Sequence, residues 1–344
     1  MLAALLFTAT FAFAQKLDDL PQYKPEHKAS ECETIRSWGS SDMAGLMKSW
    51  EEGFRKYQPG IQFVDTLKGT ETAQAALYTN VADLGFMDRE ILMIERHVML
   101  RRTHHLPFEI TVATGSNDLP NKTFALAVFV HKNNPVSKLT LKQLDGIFGD
   151  QRTGAWDDKF RWHPELARSA AENIRTWGQL GLTGEWANKP IHVYGYPITI
   201  YSPFPGPMLF FRAKAFGGGD IWNSDLLEFE NGEQITEALS KDRYGIAYTC
   251  LSYKTPLVKP VALAAADGGG YIDLTRQNVT SLTYPLTRSV YLYIDRDPDK
   301  PVDPKVKEFL RYILSREGQQ AVANDGGYLP LTAAVVQEQL RKLE

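Results

Sequence analysis

Between residues 34 and 88 the chain runs twice through one pattern: an apolar stretch, a loop of small polar residues, an amphipathic stretch, and an apolar stretch again. Nothing else in the sequence limits the fold as strongly. Strand, polar loop, helix and strand in that order call for parallel strands with helices packed on them. In the first pass, residues 34 to 38 run into Gly39-Ser40-Ser41-Asp42, and Met43, Leu46, Met47, Trp50 and Phe54 then fall on one helical face. Ser41 or Asp42 is the predicted N-cap, Pro59-Gly60 ends the helix, and residues 61 to 64 read as the next strand. In the second pass, Gly69-Thr70-Glu71-Thr72 opens a helix through Ala76, Leu77 and Val81, and residues 83 to 87 return as a strand to Asp88. Ligands of parallel sheets sit beyond the carboxyl ends of the strands, where helix N-termini aim free N–H groups. Both polar loops are predicted to lie at such ends.

Downstream, residues 108 to 114 and 124 to 131 read as strands, and residues 139 to 148 as a helix capped by Thr140. Residues 151 to 189 are rich in Trp, Arg and Gly and match neither period. Strands are predicted at 191 to 194, 244 to 248 and 289 to 294, and helices from about Leu209, at 235 to 239, 306 to 314 and 335 to 343. Gly217-Gly218-Gly219 and Gly268-Gly269-Gly270 lack the Lys-Ser/Thr ending of a nucleotide-phosphate loop and read as turns.

A length of 344 residues points to two lobes rather than one core. The net charge of −3 predicts no general affinity for nucleic acid or anionic membrane, so any bound anion needs local donors. Residues 1 to 14 are apolar and end in Ala12-Phe13-Ala14, the pattern of a secretory signal cleaved before Gln15. The chain is therefore expected to be exported. Cys32 and Cys250 either pair or are two small buried residues.

The order of these pieces resembles the phosphate-type solute-binding proteins of ABC importers. The resemblance spans about residues 34 to 335 and rests on Gly39-Ser40-Ser41, Gly69-Thr70-Glu71-Thr72 and Leu84-Gly85-Phe86-Met87-Asp88-Arg89. It continues through the strand at 124 to 135, Ile147-Phe148-Gly149, Trp156-Asp157-Asp158, and Tyr244-Gly245-Ile246-Ala247-Tyr248. Tyr284-Pro285-Leu286-Thr287-Arg288, Ser315-Arg316-Glu317-Gly318-Gln319 and Gly327-Tyr328-Leu329-Pro330-Leu331 complete it. The resemblance implies an α/β, two-lobed periplasmic-binding-protein fold of type II with two interlobe crossovers, placed near residues 110 and 248. Lobe 1 is then discontinuous, 31–110 and 249–344, and lobe 2 is 111–248.

Carried over by position, the resemblance implies that Ser41 and the N–H of Asp42 bind ligand from the first loop and Thr70 from the second. Asp88 accepts a proton that the ligand carries. The family's second-lobe arginine and Ser-Gly-Thr helix start are replaced by Tyr194-Gly195-Tyr196 and Gly206-Pro207-Met208, so Gly206 alone matches there. Pro207 has no N–H to donate. Asp42 and Glu71 add acids that repel an anion. The implied ligand is phosphate or a related oxyanion and the implied partner an ABC permease, with a monomeric, periplasmic protein and no cofactor. The alternative is a sensing or other binding module with a non-phosphate ligand and no importer. An enzyme is not expected, because Gly-x-Ser-x-Gly is absent. A metal site is not expected either, since the spacing of His97, His104 and His105 fits no common ligand pattern and Arg96, Arg101 and Arg102 crowd it.

Overall fold

The computed structural model describes residues 17–28, 33–157, 159–200, 202 and 205–344. The expected signal segment, its cleavage point at Gln15, and Cys32 lie outside the described residues; Cys250 is a buried free thiol. The chain divides into two compact units, one of residues 1–115, 121–123 and 289–344, the other of 116–120 and 124–288.

In the first unit, strands β1 (Thr34–Gly39), β2 (Gln62–Leu67), β3 (Leu84–Met87) and β4 (Phe108–Thr114) share a sheet with the strand Ser289–Ile294. Their spatial order is β2, β1, β3, Ser289–Ile294, β4. β1 pairs in parallel with both β2 and β3, so the carboxyl ends of all three meet along one edge. The strand Ser289–Ile294 runs antiparallel between β3 and β4.

Helix α1 (Ala44–Phe54) buries Leu46, Met47, Trp50 and Phe54. Their three- and four-residue steps put one stripe against the sheet and the C-terminal helices. Each fully buried side chain of this kind stabilises the unit by about 1.5–3 kcal/mol. Trp50 also needs a polar partner, and its Nε1 donates to the Gly318 carbonyl at 2.9 Å. Gln319, fully buried, donates through Nε2 to Val112 and Ile313 carbonyls at 3.0 and 2.9 Å and accepts from the Leu331 N–H at 2.8 Å. Its amide joins three segments that hydrophobic packing alone would leave with unpaired backbone groups.

The second unit is built on a sheet ordered Leu227–Glu228, His192–Gly195, Gly245–Cys250, Leu126–His131, Val258–Pro260. Sequence had placed the return crossover near residue 248. Instead the strand Gly245–Cys250 pairs antiparallel with Leu126–His131 at the heart of this sheet. The chain rejoins the first unit only after Arg288. The strand's continuous apolar run suits the centre of either sheet, so local pattern did not distinguish them.

The stretch without a period, 151 to 189, consists mainly of short 3-10 turns and a two-residue hairpin. Charge-assisted bonds hold it in place of a hydrophobic stripe. Arg152 grips Asp145 through two bonds of 2.8 and 2.7 Å, and Arg175 donates to the carbonyls of Gly146 and Gly149 at 2.8 and 2.9 Å.

Candidate functional site

The site grows from the shared strand edge of the first unit. β1 ends at Gly39, whose φ is +134°. A Cβ at Gly39 would lie 2.0 Å from the Phe86 carbonyl oxygen, so only glycine lets β1 approach β3 this closely. That approach lets the Ser40 N–H donate to the same oxygen at 3.0 Å. Ser40, not Ser41 or Asp42, is the N-cap: its Oγ accepts from the Asp42 N–H at 3.2 Å and opens a 3-10 turn, Ser41–Met43, that leads into α1. The expectation was one residue late because Gly39 already ends the strand. As a result the Asp42 N–H meets an acceptor of its own loop, while Ser41 is exposed at the tip.

The second loop leaves β2 and enters helix α2 (Thr72–Tyr78). Thr70 is 92% buried (8% exposed) and does not cap that helix. Its hydroxyl donates to Oδ1 of Asp88, which follows β3. Two residues predicted separately are thus brought into one hydrogen-bonded unit. Glu71 occupies the N-cap position without a side-chain cap bond and is exposed.

Asp42 belongs to the same cluster. The residue is exposed overall, yet partial burial of its carboxyl, then the charge of Asp88, push its pKa above the ordinary carboxylate value, with Lys122 pulling the other way. Two carboxyls within each other's field favour holding a proton. Arg89, next to Asp88 in sequence, turns away. Its guanidinium makes a two-bond pair with Glu95 at 2.9 and 2.7 Å, at the start of helix α3 (Met93–Thr103). Adjacent residues on an extended chain face opposite ways, which accounts for the separation.

Two residues absent from the sequence expectation complete the cluster. Lys122 donates from Nζ to the Asp42 carbonyl at 2.6 Å, and Thr123 donates its hydroxyl hydrogen to the Asp88 carbonyl. Both come from a connection with no periodic signal, so no motif pointed to them. Gly206 lies in the second unit, buried in the first turn of the helix Pro205–Ala215. Near it, Arg288 is 2% exposed and lies 5.7 Å over the Phe210 ring. Tyr196, where the family has arginine, hydrogen-bonds to Thr249 at 2.7 Å. Burial raises its pKa far above the ordinary phenol value, so it stays neutral. Arg212, on the same helix, pairs with Asp220. Among the described residues, no group of three His, Cys, Asp or Glu side chains is placed to hold a metal ion. Among them too, no helix is long and apolar enough to cross a membrane.

Comparison with known proteins agrees with this architecture. A PBP superfamily domain matches residues 24–317. The phosphate-binding protein PstS of Pseudomonas aeruginosa is 32% identical over 348 aligned positions, covering 100% of this chain and 98% of that one. Protein SphX of Synechococcus elongatus is 28% identical over 63% of this chain and 56% of its own. Among solved structures, PstS from Borrelia burgdorferi superposes with a TM-score of 0.55 at 14% identity, over 88% of this chain and 100% of that one. An ABC-type phosphate transport receptor from Vibrio cholerae gives 0.52 at 19% identity, over 86% and 100%. With its paired α/β units and a full-length relative at this identity, the chain belongs to the PBP superfamily and, within it, to the family of PstS.

Proposed function

We propose that this protein is an extracytoplasmic solute-binding protein that captures phosphate or a closely related oxyanion and delivers it to an ABC importer. The observation that carries the reading is the joining of Thr70 to Asp88, beside Ser41 and Asp42, at the carboxyl ends of three parallel strands. The Asp88 and Asp42 carboxyls offer acceptor oxygens to a ligand that carries an acidic hydrogen, and the exposed Ser41 hydroxyl offers it a donor. The full-length identity to PstS supports the same ligand class.

The proposed ligand residues of the first unit are Ser41, Asp42, Thr70 and Asp88. No covalent chemistry is assigned to them. Export, a monomeric state and a permease partner belong to the same proposal.

Titration calorimetry of the purified protein with phosphate, arsenate and sulfate tests it. Saturable binding of phosphate with weaker binding of sulfate is expected. Binding of none of the three, with the fold intact, would leave a sensing module for another ligand.

A further inference from the structure

The proposed site carries three acids, Asp42, Glu71 and Asp88, and lacks the arginine that the family's second-lobe motif supplies. An anion entering such a loop needs a positive charge from elsewhere. We propose that Lys122 supplies it, as a ligand-contacting cation of the first unit. The inference rests on the oxyanion reading above.

Lys122 does not extend freely into solvent, because three elements hold it. Residues 121–123 pack with the first unit although the chain on both sides of them belongs to the second. The Thr123 hydroxyl fastens this segment to the end of β3 by donating to the Asp88 carbonyl. The Lys122 stem passes Gly327, where an added Cβ would lie 2.8 Å from Asp325 Oδ2 and 3.0 Å from Lys122 Cε. The ammonium sits 5.4 Å over the Tyr328 ring, within cation–π range, and reaches the Asp42 carbonyl at 2.6 Å.

That placement leaves Lys122 with capacity to spare. An ammonium has three N–H donors and no acceptor, and the Asp42 carbonyl takes one. Among the described residues Lys122 forms no ion pair, whereas Arg89, one position after Asp88, is held by the Glu95 carboxylate and the Glu90 carbonyl. A phosphate oxygen near Ser41 would therefore meet a preorganised cation with open donors, and its charge would offset the nearby carboxylates. A lysine that only braced the loop would be satisfied equally well by any long side chain able to pack on Gly327 and Tyr328.

Lys122→Met and Lys122→Arg separate the two roles, since the first keeps the stem and removes the charge. For phosphate titrated into the full-length protein, Lys122→Met is expected to weaken affinity at least about tenfold and to flatten its dependence on salt. Lys122→Arg should stay within about threefold of wild type. Lys122→Gln, which keeps a polar side chain without the charge, should weaken phosphate by a similar factor, and it keeps the test open if Lys122→Met fails to fold. Wild-type phosphate affinity in a folded Lys122→Met protein overturns this inference and leaves the oxyanion reading standing. Absence of oxyanion binding by the wild type overturns both.

Discussion

Gly69 donates its N–H to the carbonyl of Gly39 at 2.9 Å, which ties together the last turns of backbone before the two ligand loops. Asp42 and Thr70 therefore do not ride on independent loops. They leave the sheet from one hydrogen-bonded corner, and β3 adds Asp88 beside them.

Thr70→Val and Ser41→Ala are expected to weaken phosphate binding by about 1–3 kcal/mol each if their hydroxyls meet a charged ligand. Thr70→Val should also remove the hydroxyl that donates to Asp88, making it the more damaging of the two. Calorimetry on both variants, with thermal melts to confirm folding, checks the ranking. Unchanged affinity in both would move the site elsewhere.

Asp88→Asn is expected to relax discrimination between phosphate and sulfate. A carboxylate accepts the proton of hydrogen phosphate and repels sulfate, while an amide can donate to either. The ratio of the two dissociation constants at fixed pH is the measurement, and tight sulfate binding by the wild type contradicts the assignment.

Glu51, on α1 and 7% exposed, has its pKa raised from 4.5 to about 8, chiefly by burial and then by Asp65, with Arg55 opposing. The 2.9 Å bridge to Arg55 does not reverse that direction. A carboxyl whose folded pKa is raised contributes stability that is full below 4.5 and is lost as pH rises through about 8. Glu51→Gln should therefore melt at a higher temperature than wild type near pH 9 and show a flatter melting profile between about pH 5 and 9. A wild-type melting temperature that rises across that window contradicts the sign.

Gly39→Ala places a Cβ 2.0 Å from the Phe86 oxygen at a φ of +134°. It is expected to cost at least about 2 kcal/mol, because the backbone conformation is strained for alanine and β1 must separate from β3. Chemical denaturation gives the difference. A loss under about 0.5 kcal/mol, typical of an unconstrained surface site, contradicts it.

Much of this was legible in the sequence because local and tertiary demands coincide. The helix Leu141–Phe148 lies where its apolar spacing and Thr140 cap put it, and strands Phe108–Thr114 and Ser289–Ile294 match the predicted bounds. Helices α3 and Arg316–Asp325 were not predicted, since their faces mix charge with few buried residues: only Met99 in the first, and Gly318, Gln319 and Val322 in the second. Thr70 and Asp88 were legible as candidates, but their mutual hydrogen bond depends on strand register, which pattern does not fix. Lys122 was not legible because its role depends on contacts to Asp42 and Tyr328, both distant in sequence.

The strand Ser289–Ile294 sits between β3 and β4 in the first sheet. That placement has a consequence in time. As the chain emerges from the ribosome, the first sheet stays split, with the facing edges of β3 and β4 unpaired, until the whole second unit has followed. Residues 124–288 are contiguous and can fold as soon as they appear. The unit that starts first thus finishes last, and during that interval the exposed edges of β3 and β4 are where the nascent protein is open to wrong strand pairing.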